Sequence, residues 1–246
     1  MTKQPKRPSQ FKDTGLEDTG PRDAEPQDAN DDLGVTLLSL ADLPIFPLPG
    51  VVLFPRALLP LHVFEPRYRA MLTHCLNTHR SMAIAHVPDV NDLDEAGQPR
   101  IAKVAGLGVI LEHQALADGR ANILLHGRAR VELDEQPSDS PFRRAKATLR
   151  EDVVRPVGNA DRAALVAAAT AFAGELHKRD DFSFALPPNA TIGIVADLCA
   201  QHLVEGAAMR QSILEQKDIA MRVRMVIAEL ALQHRALLGN AGSVLH

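Results

Sequence analysis

The chain has no tryptophan, one tyrosine (Tyr68) and eight phenylalanines, so aromatics make up only 4% of its 246 residues. Stacking on nucleobases, which needs rings interleaved with basic side chains, therefore has little material to draw on. Cysteine is as scarce. Cys75 and Cys199 stand far apart in no Cys-x-x-Cys pair, which excludes a disulfide framework. Long apolar runs are missing too: Ala163 to Ala173, the longest, is Ala-rich, interrupted by Thr170 and too short to span a bilayer. No charged segment followed by an apolar one opens the chain, so no signal peptide is expected, and the cytoplasm is the expected compartment. An excess of one charge is also lacking. The net charge is −4, and residues 1–34 alone carry five basic and eight acidic side chains, which leaves the body close to neutral. Such a body makes no global case for wrapping nucleic acid, whose affinity rests on neutralised phosphates.

The signatures of catalysis are absent as well. No Gly-x-x-x-x-Gly-Lys-Ser/Thr loop occurs, nor any Gly-Lys pair, so no recognisable cradle holds a triphosphate. There is no Gly-x-Ser-x-Gly elbow and no His-Glu-x-x-His. Gly106-x-Gly108 is followed by Leu111 where a dinucleotide fingerprint needs its third glycine. Among ten histidines, His79 lies four residues after Cys75 on a predicted helix and could share a metal with it. With no second ligand pair, the weightier reading is a buried thiol, and no metal or cofactor is expected. His62 and His202 read as histidines at the edge of the core.

What is present falls into three parts. Residues 1–36 are rich in Pro, Asp, Gln and Gly without apolar periodicity, which predicts a disordered acidic tail. Residues 37–155 are β-rich. Leu43–Phe46, Val51–Phe54 and Leu58–Phe64 are short apolar runs between prolines and glycines. Pro66 opens a helix carrying Tyr68, Met71, Leu72 and Cys75 at helical spacing. Met82–Val87 reads as a buried strand. Val104–Leu116 and Asn122–His126 form a hairpin around Asp118-Gly119. Arg128–Leu133 and Arg143–Arg150 alternate in period two, with Arg128, Arg130, Arg144, Lys146 and Arg150 on the outward side. Residues 156–240 are helical: Asp161–Lys178; a helix capped at Asn189 or Thr191 and ended by Gly206; Ala207–Gln216; and Asp218–Leu238. The expected class is α+β, a partly closed β-barrel followed by a helical bundle.

The stretch Leu43-Pro44-Ile45-Phe46-Pro47-Leu48, then Val52-Leu53-Phe54-Pro55, then Leu59 through Tyr68, resembles the opening of the Lon protease N-terminal, substrate-binding domain. Gly106 to Ile110, Leu116 to Arg120, Leu124 to Val131, Pro141 to Ala145 and Ile213 to Asp218 resemble that family in the same order. The resemblance covers about residues 40–235 and implies a PUA-like barrel with its helical bundle, in a free-standing form. It implies binding of unfolded or degron-like protein segments, with service to a proteolytic machine. It carries neither the ATPase nor the Ser-Lys peptidase part of that peptidase family.

Two candidate surfaces follow. From Pro44 to Tyr68 the chain holds six of its seventeen prolines and four of its nine aromatics. Prolines fix φ and remove donors, so this stretch builds edge strands and rigid turns suited to capturing extended apolar segments. Phe46, Pro47, Pro49, Phe54, Pro55, Leu59, Phe64 and Tyr68 form that candidate region. Taken singly, each ring is more often a core filler than a contact. Glu65 and Arg67 are expected to fix the helix against the barrel by a charge-assisted bond, and Asp118, Gly119 and Arg120 form the hairpin turn. The second surface is the strip Arg128, Arg130, Arg144, Lys146 and Arg150, which would suit an RNA-binding barrel. Glu132, Glu151 and Asp152 beside it favour a solvated charged face instead. No membrane partner is expected. A third alternative, a degenerate peptidase or other hydrolase, has no residue set to support it.

Overall fold

Thr36 starts the first element. Its hydroxyl accepts the Ser39 N–H at 3.1 Å, and the Ser39 hydroxyl accepts the Thr36 N–H at 3.1 Å, a reciprocal cap. This begins helix α1 (Leu37–Ala41), at the start of the stretch expected to be β-rich. The computed structural model describes residues 35–242 except 181 and 188, so the expected acidic tail lies outside the described residues up to position 34. Val35 is buried and Thr36 caps α1, so those two belong to the fold and not to a tail.

The sheet follows: β1 (Leu43–Pro49), β2 (Leu58–Val63), helix α2 (Pro66–Asn77), then β3 (Ser81–Val87), β4 (Val104–Ala115), β5 (Ala121–Gln136) and β6 (Arg143–Leu149). Pro66 takes the first helical position, as its missing N–H and fixed φ predict. The β4–β5 turn is also as predicted: Gly119 has φ +79°, and the Asp118 carboxylate accepts the Arg120 N–H at 3.0 Å. The strand order is β2-β5-β4-β3-β1-β6, and β6 returns to pair with β5. Only Val131–Gln136 of β5 take part in that closure, whereas Ala121–His126 pair with β2. The sheet is therefore partly closed, curled shut over one half of β5 and open over the other.

Period-two alternation sorts the strands into two cores. Leu43, Ile45, Ala83, Ala85, Ala105, Leu107, Val131, Leu133 and Ala145 fill the inside of the curl, where alanines suit closely approaching strands. Phe46, Met82, Ile84, Ile110 and Leu125 face the other way, clustered with Tyr68, Met71, Leu72 and Cys75 of α2.

Val51–Phe54, expected as a strand, forms none. Residues 51–57 make a strap across β4 and β5. A Cβ at Gly106 would collide with the Leu53 carbonyl oxygen, and one at Gly127 with that of Phe54. Gly127 also exchanges 2.8 Å backbone bonds with Arg56 and Ala57. The two expected strands 122–126 and 128–133 are one strand, β5, irregular in register near Gly127.

The helices are α3 (Asn159–Asp180), α4 (Ile192–His202), α5 (Ala207–Glu215) and α6 (Ile219–Gly242). Thr191 caps α4 and the Asp218 carboxylate accepts the Ala220 N–H, as the sequence suggests. Gly206 does not end α4; with φ +80° it is the N-cap of α5. Leu165, Ala169 and Phe172 of α3 belong to one buried cluster with Val223, Val226 and Leu230 of α6, and that cluster is continuous with the outer core of the sheet.

A buried ion network joins sheet to helices, and it corrects the expectation for Arg130. That residue is not outward in solvent but 4% exposed, because helices cover its side of the sheet. Its guanidinium donates to Asp197 of α4 at 2.5 Å and to the Leu214 carbonyl at 2.9 Å. Arg222 of α6, fully buried, lies 3.0 Å from the same Asp197 oxygen and forks onto both oxygens of Asp152 at 2.7 Å. Two cations thus meet two anions. Burial pushes the Asp197 carboxyl up, against the pull of Arg130 and Arg222.

Candidate functional site

The proline-rich stretch does not form one continuous ledge. Phe46, Phe54 and Tyr68 are buried, the first and last with ring centroids 4.3 Å apart. Alternation along β1 turns Phe46 toward α2, and the strap seals Phe54 against the bundle, where its N–H donates to Gln201 of α4 at 3.0 Å. Pro47, Pro55 and Leu59 are half-buried, Pro49 is exposed, and Phe64 is 58% exposed. Glu65 and Arg67 do not tie helix to sheet. They pair with each other at 3.0 Å in the open, while Arg67 lies over the Tyr68 ring at 4.5 Å. The Tyr68–Phe46 packing does the fastening expected of them.

Strand β2 is the open end of the sheet. Among the described residues it pairs only with β5, and no other strand lies along its second edge. Leu59, Leu61 and Val63 turn toward the α2 core, which leaves Leu58, Pro60 and His62 on the opposite face, all exposed. Register continues that face across β5, where Leu58, Pro60 and His62 stand opposite His126, Leu124 and Asn122, and onto Glu112 and Gln114 of β4. Phe64 stacks on His62, with centroids 6.1 Å apart, and His62 is fixed by Asn122 at 2.8 Å. His62 is thus part of a solvent-facing surface, not the core edge expected for it. Where the sheet curls shut, this same side of β5 is the dry interior; past the closure none of the described residues covers it. Leu58 at 49%, Phe64 at 58% and the neighbouring Leu111 at 45% are the large apolar groups it exposes.

On the α2 side of these strands lies a cleft of about 560 Å³, between α2 and the hairpin tip. Pro66, Ala70, Leu72, Leu76, Ala115 and Ala121 give it an apolar lining, and Arg69, Arg120 and His113 stand at its walls. Sequence reasoning missed Arg69 and His113. Their signal was faint: Arg69 lies one turn into α2, close in space to the Gly119 turn but far from it in sequence.

The basic strip is dispersed. Arg130 is in the buried network, Arg144 is paired with Asp42, and Arg150 is paired with Glu132 at 3.2 Å and bonded to the Glu215 carbonyl. Lys146 is exposed and Arg128 half-buried. Asp197 and Asp42, from distant segments, supply the neutralising charge that strand alternation could not reveal. Cys75 and His79 do not share a ligand position: the Cys75 thiol donates to the Ser81 carbonyl, and His79 bonds the Asp42 carbonyl. Burial pushes the Cys75 and Cys199 thiols up to about 12, so both stay protonated. Among the described residues no group of three or more His, Cys, Asp or Glu is placed to hold a metal, and no helix is long and apolar enough to cross a membrane.

Comparison with known proteins gives a consistent result. Residues 42–231 match the family model described as the ATP-dependent protease La (LON) substrate-binding domain. Lon protease 2 of Sorangium cellulosum is 27% identical over 79% of this chain and 25% of its own length. The Lon protease of Escherichia coli is 24% identical over 76% of this chain and 24% of its own length. The chain thus spans about a quarter of those relatives, and it matches their substrate-binding region. Among solved structures, a Lon N-terminal domain protein from Xanthomonas campestris superposes with TM-score 0.56 at 22% identity, covering 76% of this chain and 97% of that one. The N-terminal domain of the Mycobacterium avium complex Lon protease gives 0.55 at 14% identity, covering 77% and 98%. These likenesses establish the fold.

Proposed function

The chain belongs to the LON substrate-binding domain family, and from that premise we propose that it is a non-catalytic recognition module for polypeptides. It takes unfolded or degron-like segments in the cytoplasm and presents them to a proteolytic machine. The sheet unit, residues 37–155, is the reader, and the helical unit, residues 156–240, is its support.

One observation carries this reading: an exposed apolar column of Leu58, Pro60 and Phe64 on a strand with an unpaired edge. An extended segment laid along that edge gains backbone bonds from β2 and places alternate side chains against the column. Pro60 removes one donor from the strand, which discourages permanent pairing between copies of the chain. Of the stretch singled out by sequence, Phe64 belongs to that column, while Leu59 turns to the α2 core and Pro49 ends β1, with three strands between β1 and β2. Phe46, Phe54 and Tyr68 act as foundation.

The test is binding of fluorescently labelled unfolded casein, followed by anisotropy. Leu58→Ser and Phe64→Ser should each weaken binding about five-fold or more, the scale of a contributing interface contact, with the melting temperature unchanged. Casein should stay intact with or without ATP. Unchanged affinity in both variants, or cleavage of casein by the pure protein, would sink the proposal.

A further inference from the structure

We infer that the cleft between α2 and the tip of the β4–β5 hairpin seats the C-terminal carboxylate of a polypeptide whose last residues are apolar. The inference rests on the docking reading above and names the chemistry of one end of the bound segment.

The cleft has the two halves such a ligand needs. No carboxylate lines it, while two guanidiniums and an imidazole do. Arg120 is partly engaged, its Nε bonded to Asp118 at 2.6 Å. The Arg69 guanidinium makes no hydrogen bond or ion pair among the described residues, although it lies against the Gly119 turn beside Arg120. The turn it lies against needs glycine for its φ of +79°, and the missing Cβ leaves room for the Arg69 guanidinium. A guanidinium fork without a partner among the described residues, lining the same cleft as a second one, matches the two oxygens of a carboxylate. The volume of about 560 Å³ falls within the usual range for ligand sites.

The apolar lining selects a chain end over an internal acidic residue. An internal Asp or Glu would bring two flanking peptide groups onto a surface with few partners for them, at a desolvation cost; a terminus brings one. The cleft also lies where a segment on β2 would arrive. Val63, the last residue of β2, pairs with Ala121, which lines the cleft, and the chain then passes through Phe64 to Pro66, which lines it too.

A fluorescein-labelled peptide ending in Ala-Leu-Leu with a free carboxylate is titrated with the full chain by anisotropy, alongside the same peptide as a C-terminal amide. The acid should bind at least ten-fold tighter. Arg69→Gln, at an exposed side chain, should bring the acid down to the affinity of the amide without lowering the melting temperature. Acid and amide binding alike to the unmodified chain, or a gap that survives Arg69→Gln, would overturn the inference. If that happens while Leu58→Ser still weakens casein, only the seat is lost and the docking face stands. If neither peptide nor casein binds at all, both are lost.

Discussion

Arg222 has no exposed surface, yet it carries a permanent charge into the seam between sheet and helices. Moving such an ion out of water costs several kcal/mol unless partners offset it, and here Asp152, Asp197 and the Gln216 carbonyl all do. Removing one member should therefore harm more than the pair itself contributes. Arg222→Met is expected to destabilise the protein by about 3–5 kcal/mol, because it strands Asp197 with Arg130 alone and frees Asp152. Urea unfolding checks this, and a loss below about 1 kcal/mol would mean the network adds little. Half of this arrangement was open to reading in the sequence. Asp197 is the one charged residue in Ile192–His202, a helix apolar on nearly every side, and a lone charge there asks for a buried partner. The partner's identity was not open. Alternation on β5 says that Arg130 and Val131 face opposite ways, but not that a helix from beyond residue 190 covers the arginine.

At the scale of elements, the strap shows what pattern reading cannot reach. Val51 to Phe54 is apolar, short and bounded by Gly50 and Pro55, the local description of a strand. What denies it a ladder is the pair of glycines at 106 and 127, which let it cross β4 and β5 in van der Waals contact. Glycines that merely interrupt a strand pattern in sequence are, in space, a groove. Gly106→Ala and Gly127→Ala should each cost about 1–3 kcal/mol or more, since backbone must move to admit a methyl group. Gly174→Ala in α3, with open space around it and helical φ, should instead stabilise by about 0.5–1 kcal/mol. Thermal melts of the three variants decide the matter, and equal effects at all three sites would contradict the crossing. Local chemistry alone sufficed elsewhere: Pro66 at a helix start, Asp118-Gly119 at a hairpin and Thr191 as a cap each depend on near neighbours only.

Across the whole molecule, the last strand ends at Leu149 and α3 begins at Asn159, but the strands and the helices that follow share one core. Buried side chains run without a break from Phe46 and Ile84 through Phe54 to Cys199, Val226 and Leu230. The two units should accordingly unfold together. Tyr68, the single tyrosine, reports on the sheet unit by fluorescence, and the 222 nm circular dichroism band reports mostly on the helices. Their urea midpoints should coincide, and two separated transitions would show that the shared core does not couple them. The open half of β5 has a longer reach. Val131 and Leu133 answer to an enclosed space of fixed size, whereas 122, 124 and 126, further back on the same side of the strand, lie on the open face. Tightly constrained positions and open ones thus follow each other on one backbone. Such a division would let side chains on the open face be exchanged one at a time without disturbing the architecture beneath.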